Sequence, residues 1–158
     1  MAVVRIETRG NIGQQDVREV ADRVLEALDG PSIRALEIDF DARQSEREFY
    51  RSLLTALRER MPKEMALTMT ALVSWCGKDS WMRGLPVVEA VPMFFRMGRD
   101  PHRATEKIEE PLCQTSLGVS TDEMVRDAPR GRRMYVFHPH AWTEEDYRAV
   151  LRESRKWR

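Results

Sequence analysis

From Ala35 to Ala42 the chain reads Ala-Leu-Glu-Ile-Asp-Phe-Asp-Ala, an alternation of apolar and acidic residues without exception. A period of two is the period of a strand, in which successive side chains point to opposite faces. Leu36, Ile38 and Phe40 then share one face, and Glu37, Asp39 and Asp41 share the other. Neighbouring carboxylates in that row stand roughly 6.5 to 7 Å apart, from two residues of rise at about 3.3 Å each. Such a row is costly to build into a core, so it implies either access for water or a purpose.

The same patterning places the other elements. Val3 to Thr8 sets Val4 and Ile6 against Arg5 and Glu7, predicting a first strand. Gln14 to Leu28 carries Val17, Val20, Ala21, Val24, Leu25 and Leu28 at the three- and four-residue steps of an amphipathic helix, and Asp29-Gly30-Pro31 supplies its stop. Ser45 to Met61 predicts a second helix, with Phe49, Leu53, Ala56, Leu57 and Met61 on its buried stripe and Ser45 with Glu48 as a capping box. Ala66 to Ser74 predicts a third strand. Val87 to Met97 predicts a fourth, with Val91, Met93 and Phe95 on one face and Phe94 and Arg96 on the other. The polar stretch Asp100 to Glu110 reads as a short helix, and Leu117 to Thr121 and Met134 to His138 as the fifth and sixth strands. Thr143 caps a last helix from Glu144 to about Trp157, with three acids in its first turn where the helix dipole favours them.

Strands alternating with helices predict an α/β fold with a parallel sheet. Strands buried on both faces read as continuous apolar runs, whereas these have one apolar and one polar face, so helices are expected on one side only. A complete eight-unit barrel takes ~250 residues, and this chain of 158 residues holds about six units. The expectation is therefore one domain over residues 1–158, a partial (β/α) TIM-type barrel of about six parallel strands with helices on the outer face. Its first and last strands would be sheet edges, which are liabilities unless covered. A longer parent chain or a homodimer joined through those edges would cover them.

Charge narrows the partners. Lys and Arg total 26 and Asp and Glu 26, so no global field calls for nucleic acid or an anionic membrane. No stretch approaches the ~18 apolar residues of a membrane span, and no basic leader precedes an apolar run. The chain reads as soluble and, without an export signal, cytoplasmic unless it belongs to a longer exported precursor. Cys76 and Cys113 lie far apart in no CxxC or Cys/His pattern, which sets no disulfide framework and no zinc site and leaves their pairing open. No cofactor is implied, since GxSxG, P-loop and GxGxxG patterns are missing, and the acidic row lacks the ligand loop of an EF-hand.

Functional residues of barrels gather at the carboxyl ends of the strands. That rule selects Glu7, Asp39, Asp41, Ser74, Trp75, Arg96, Ser120, Asp122, His138, His140 and Trp142, a mouth built from six strands. With Glu37, these acids and Arg96 suit the hydroxyls of a sugar or polyol, and Trp75, Trp81 or Trp142 would be stacking platforms. His138 and His140 could serve as acid/base groups or metal ligands. The competing expectation is an interior ion-pair network in which Arg5, Arg96 and the acidic row satisfy one another.

Several segments together resemble an uncharacterised bacterial family, a domain of unknown function with a (β/α) barrel. They are Leu36-Glu-Ile-Asp-Phe-Asp41, Leu67-Thr-Met-Thr-Ala-Leu72 with Trp75, Val91-Pro-Met-Phe-Phe-Arg-Met-Gly98, Gly118-Val-Ser-Thr-Asp-Glu123 and Tyr135-Val-Phe-His-Pro-His-Ala-Trp142. A more distant resemblance is to the family-eighteen chitinases and their inactive relatives. Their D-x-x-D-x-D-x-E strand places Arg34, Glu37, Asp39 and Asp41 at its four marked positions, so the pattern is half kept. That likeness implies glycoside hydrolysis, with Asp41 as general acid, its pKa raised by Asp39 and Glu37, and Asp39 as stabiliser. Asp41 is one methylene shorter than the family's glutamic acid, and Met93-Phe-Phe-Arg96 replaces its Met-x-Tyr-Asp. A non-catalytic carbohydrate-binding domain is the alternative implied by those departures.

Overall fold

The computed structural model describes residues 1–8, 10, 12–28, 33–95, 108–123 and 131–153. Its six strands are β1 (Ala2–Arg5), β2 (Ala35–Asp39), β3 (Ala66–Leu72), β4 (Glu89–Met93), β5 (Ser116–Ser120) and β6 (Arg133–Phe137). They form one sheet in chain order, and every neighbouring pair is parallel. Helix α1 (Val17–Glu26) connects β1 to β2, α2 (Arg47–Arg60) connects β2 to β3, and α3 (Glu144–Glu153) follows β6. Crossovers between parallel strands share one hand, so an unbroken sequential order puts the connections on one side and curls the sheet. The result is a half-barrel with α1 and α2 outside it.

Register explains which residues face inward. Val3 pairs with Glu37, Glu37 with Thr68, and Thr68 with Glu89, and one step along the strands Arg5 pairs with Asp39. Arg5, Glu37, Asp39, Thr68 and Glu89 therefore share the concave face. The opposite face carries Leu36, Ile38, Leu67, Met69, Ala71 and Ala90, all buried against Ala21 and Val24 of α1 and Phe49, Leu53, Leu54 and Leu57 of α2. Tyr50 of α2 is fully buried and donates from its hydroxyl to the Ile38 carbonyl at 3.1 Å, pinning α2 to β2.

Several elements are shorter than their sequence pattern predicts. Strand β2 ends at Asp39, so Phe40, Asp41 and Ala42 continue beyond the ladder, and β4 begins at Glu89. Both α1 and α2 are entered through one 3-10 turn, at Gln14–Asp16 and Gln44–Glu46. That turn moves the start of the second helix forward. Glu46, not Glu48, closes the capping interaction by accepting the Arg43 backbone N–H at 2.7 Å, and it also accepts the Thr8 hydroxyl at 3.0 Å. At α3 the expected cap is present: Asp146 N–H donates to the Thr143 hydroxyl at 3.2 Å, and Thr143 N–H to the Asp146 carboxylate at 3.1 Å. The Asp29-Gly30-Pro31 stop and most of the short helix expected over 100–110 lie outside the described residues.

Between β3 and β4 the connection is two 3-10 turns, Val73–Cys76 and Ser80–Met82, instead of an α-helix. Two devices hold this thinner layer. Cys76 and Cys113 form a disulfide with Cα atoms 5.8 Å apart, a pairing that sequence spacing alone leaves open. The Cys76 carbonyl also accepts the N–H groups of Glu109 and Glu110 at 2.8 and 3.0 Å. Beside it, Trp75 and Trp81 meet edge to face at 5.0 Å, while the Arg47 guanidinium lies over both rings and pairs with Asp79 at 2.7 Å.

Candidate functional site

Glu7, Asp39 and Asp41 come together where β1 and β2 end. They line an open cleft of about 320 Å³ together with Arg5, Thr8 and Arg43. Asp39 forms part of the floor at 7% exposure, whereas Asp41, beyond the end of the ladder, is exposed. The alternation predicts that all three acids share a face. Burial then grades them, with Glu37 at 1% exposure deepest and Asp41 outermost.

The Asp39 carboxylate is fixed from both sides. Its Oδ1 accepts the Thr70 hydroxyl at 3.0 Å, and its Oδ2 faces Arg5 Nη1 at 3.4 Å. Arg5 Nε turns to Glu7 Oε1 at 3.1 Å, so one guanidinium bridges two acids of the cleft. Burial pushes the Asp39 carboxyl above the ordinary aspartate range; the Thr70 hydrogen bond and Arg5 pull against that, and Asp41 and Glu7 add to it. Glu37 is pushed up to about 7, first by burial and next by the Asp39 charge. The two acids that burial raises are thus Asp39 and Glu37, one and two steps inward from Asp41.

Glu89, which the sequence patterning did not single out, is a third buried acid of the concave face. Its carboxylate accepts the Tyr135 hydroxyl at 2.6 Å, the Thr115 hydroxyl at 2.8 Å and Arg133 Nη1 at 3.3 Å. The alternation that puts Val91 and Met93 on one face of β4 reaches Glu89 when extended two residues back. Tyr135 reaches from β6 to β4 because its neighbour on β5 is Gly118. A Cβ at Gly118 would meet Phe137 Cε2 at 3.0 Å, so only glycine leaves room for the rings of β6 to lean across.

The other expected mouth residues are placed elsewhere. Trp75 is not at a mouth: at 3% exposure it packs in the outer core between Trp81 and Arg47. Trp81 is half-buried in the same layer and packs on Tyr50 at 6.0 Å. Ser74 lies on the 3-10 turn after β3, and Arg96 lies outside the described residues. Asp122 is hydrogen-bonded to Ser120 at the end of β5. His138, His140 and Trp142 form a group of their own after β6. His138 Nδ1 lies 3.2 Å from the His140 N–H, and its ring is 5.1 Å from Trp142, which is 44% exposed. In the sheet, β3 and β4 separate the β1–β2 cleft from the residues after β5 and β6. Among the described residues, the strand ends thus supply one group at β1 and β2 and another after β6.

Among the described residues, no group of three or more His, Cys, Asp or Glu side chains could hold a metal ion. Among them too, no helix is long and apolar enough to cross a membrane. No curated protein and no solved structure matches this chain. Residues 1–101 match the model of a domain of unknown function, DUF3142, a span that takes in β1 to β4 and with them Arg5, Glu37, Asp39 and Glu89. With that match running over well more than half of its length, the chain belongs to the DUF3142 family.

Proposed function

We propose that the cleft at the carboxyl ends of β1 and β2 binds a sugar or polyol, and that the chain is a glycosidase-like, carbohydrate-active half-barrel. One observation carries this reading. Asp39, a nearly buried acid with a raised pKa, lies at the floor of an open cleft, within two residues of the exposed carboxylate Asp41. Two carboxyl groups in unequal environments are what general acid and base chemistry at a glycosidic bond needs. Asp39 takes the role of proton donor, Asp41 is the second carboxyl of the pair, and Arg5, Glu7 and Arg43 supply hydrogen bonds to hydroxyls. Asp39 replaces Asp41 as the acid because burial, which favours the neutral form, acts on Asp39.

The test is thermal stability of the purified chain across chito-, cello- and peptidoglycan-type oligosaccharides, followed by a hydrolysis assay on any that bind. A ligand present at about 100 times its Kd adds about 2.7 kcal/mol, a shift that calorimetry resolves. Asp39→Asn is expected to keep binding and abolish turnover. Stabilisation by no member of the panel sinks the reading.

A second reading is favoured by the Arg5 bridge. Because one guanidinium contacts both Glu7 and Asp39, the strand-end charges could satisfy one another as a structural network. On that reading Arg5→Gln loses stability and no saccharide changes the melting temperature of either form.

A further inference from the structure

Glu37 lies on the concave face with no cation of its own among the described residues. On β1, Arg5 is committed to Asp39 and Glu7. On β6, Arg133 and Tyr135 are committed to Glu89 of β4. Along β2 it faces Asp39 and across β3 it faces Glu89, both of which raise its pKa, and from α2 the neutral Tyr50 hydroxyl approaches, bonded to the Ile38 carbonyl. The contacts Glu37 does make are with β3. Thr68 Oγ1 is 3.4 Å from Glu37 Oε2 and 3.3 Å from the Leu36 carbonyl oxygen. A hydroxyl has one proton and cannot donate to both. Shared with the Leu36 carbonyl and 3.4 Å long, the Thr68 donation to Glu37 lowers the carboxyl's pKa less than burial and Asp39 raise it. The other oxygen, Oε1, is buried with no hydrogen-bond partner among the described residues. An ionised carboxylate left so would forfeit water without compensation, a cost that a neutral carboxyl largely avoids.

We propose that Glu37 is held in the folded chain as a neutral carboxylic acid and acts as a pH-sensitive switch. Its ionisation loosens the β2–β3–β4 centre of the sheet and adds a negative charge beside the Asp39 cleft. The switch stands on the buried geometry and does not depend on what the cleft binds. Its raised pKa agrees with the geometry. A carboxyl that holds its proton more tightly folded than unfolded stabilises the fold at low pH and withdraws that stability as pH rises from about 4.5 through about 7.

The experiment compares wild type with Glu37→Gln, a neutral side chain of nearly the same shape, by urea unfolding at intervals from pH 5 to pH 8. Asp39 contributes a slope of the same sign, so the quantity read is the difference between the two proteins. Wild type is expected to lose on the order of 100-fold more of its folding equilibrium constant than Glu37→Gln over that range, and the variant to be at least as stable at pH 8. Parallel pH profiles overturn the proposal. The carbon-13 shift of the Glu37 carboxyl in wild type reads the same claim without any variant. A neutral carboxyl at pH 6 supports it, and an ionised one at pH 6 overturns it.

Discussion

Opening the Cys76–Cys113 disulfide tests how the outer layer is held where the sheet has no helix between β3 and β4. The bond joins residues 37 apart in sequence and encloses β4. Closing a loop of that length removes about 13 cal/mol/K from the unfolded chain, or about 4 kcal/mol at 25 °C. Both cysteines are fully buried in the main core, and reduction removes the bond between them while leaving both side chains to fill that core. The chain-entropy term is therefore the larger part of the effect. A chain of this size shifts its Tm by about 2–4 °C per kcal/mol, so reduction should lower it by about 8 to 15 °C. Urea unfolding with and without a phosphine reductant gives the free energy directly. The slope of free energy on urea should also rise on reduction, because the uncrosslinked chain exposes more surface when it unfolds. The reasoning fails if oxidised and reduced chains unfold within about 1 kcal/mol of each other. It also fails if two thiols react in the native, untreated protein.

Two further substitutions probe the sheet. Gly118→Ala puts a methyl 3.0 Å from the Phe137 ring and should cost about 1–3 kcal/mol; unchanged urea unfolding would mean that the close crossing of β6 over β5 is not required. Tyr50→Phe removes the buried hydrogen bond to the Ile38 carbonyl and should cost about 1 kcal/mol, read by the same assay, with no loss if α2 is positioned by its apolar contacts alone.

The alternation of Ala35 to Ala42 makes the acidic face of β2 legible, because a period of two leaves no other way to sort those side chains. The partial barrel follows from strands with one polar face in a chain too short for eight units. What the alternation does not carry is depth. Glu37, Asp39 and Asp41 look equivalent in sequence, yet the ladder ends at Asp39, which leaves Asp41 in water and Glu37 enclosed. Trp75 falls just past a strand end, where a mouth residue would stand, but the 3-10 turn after β3 folds it back onto the outer core. The disulfide was hidden for a related reason: its partners meet only because that turn and the turn before β5 are tied together by Cys76, Glu109 and Glu110. Glu89 was within reach of the pattern, since it shares the parity of Val91 and Met93, but the apolar residues around it masked the alternation.

The most direct measurement of the central claim is amide chemical-shift mapping of the labelled chain as an oligosaccharide from the panel is added. The account predicts shifts concentrated at Arg5, Glu7, Thr8, Asp39, Asp41 and Arg43, saturating together. Shifts confined to the His138–Trp142 group, or none with any saccharide, would contradict it.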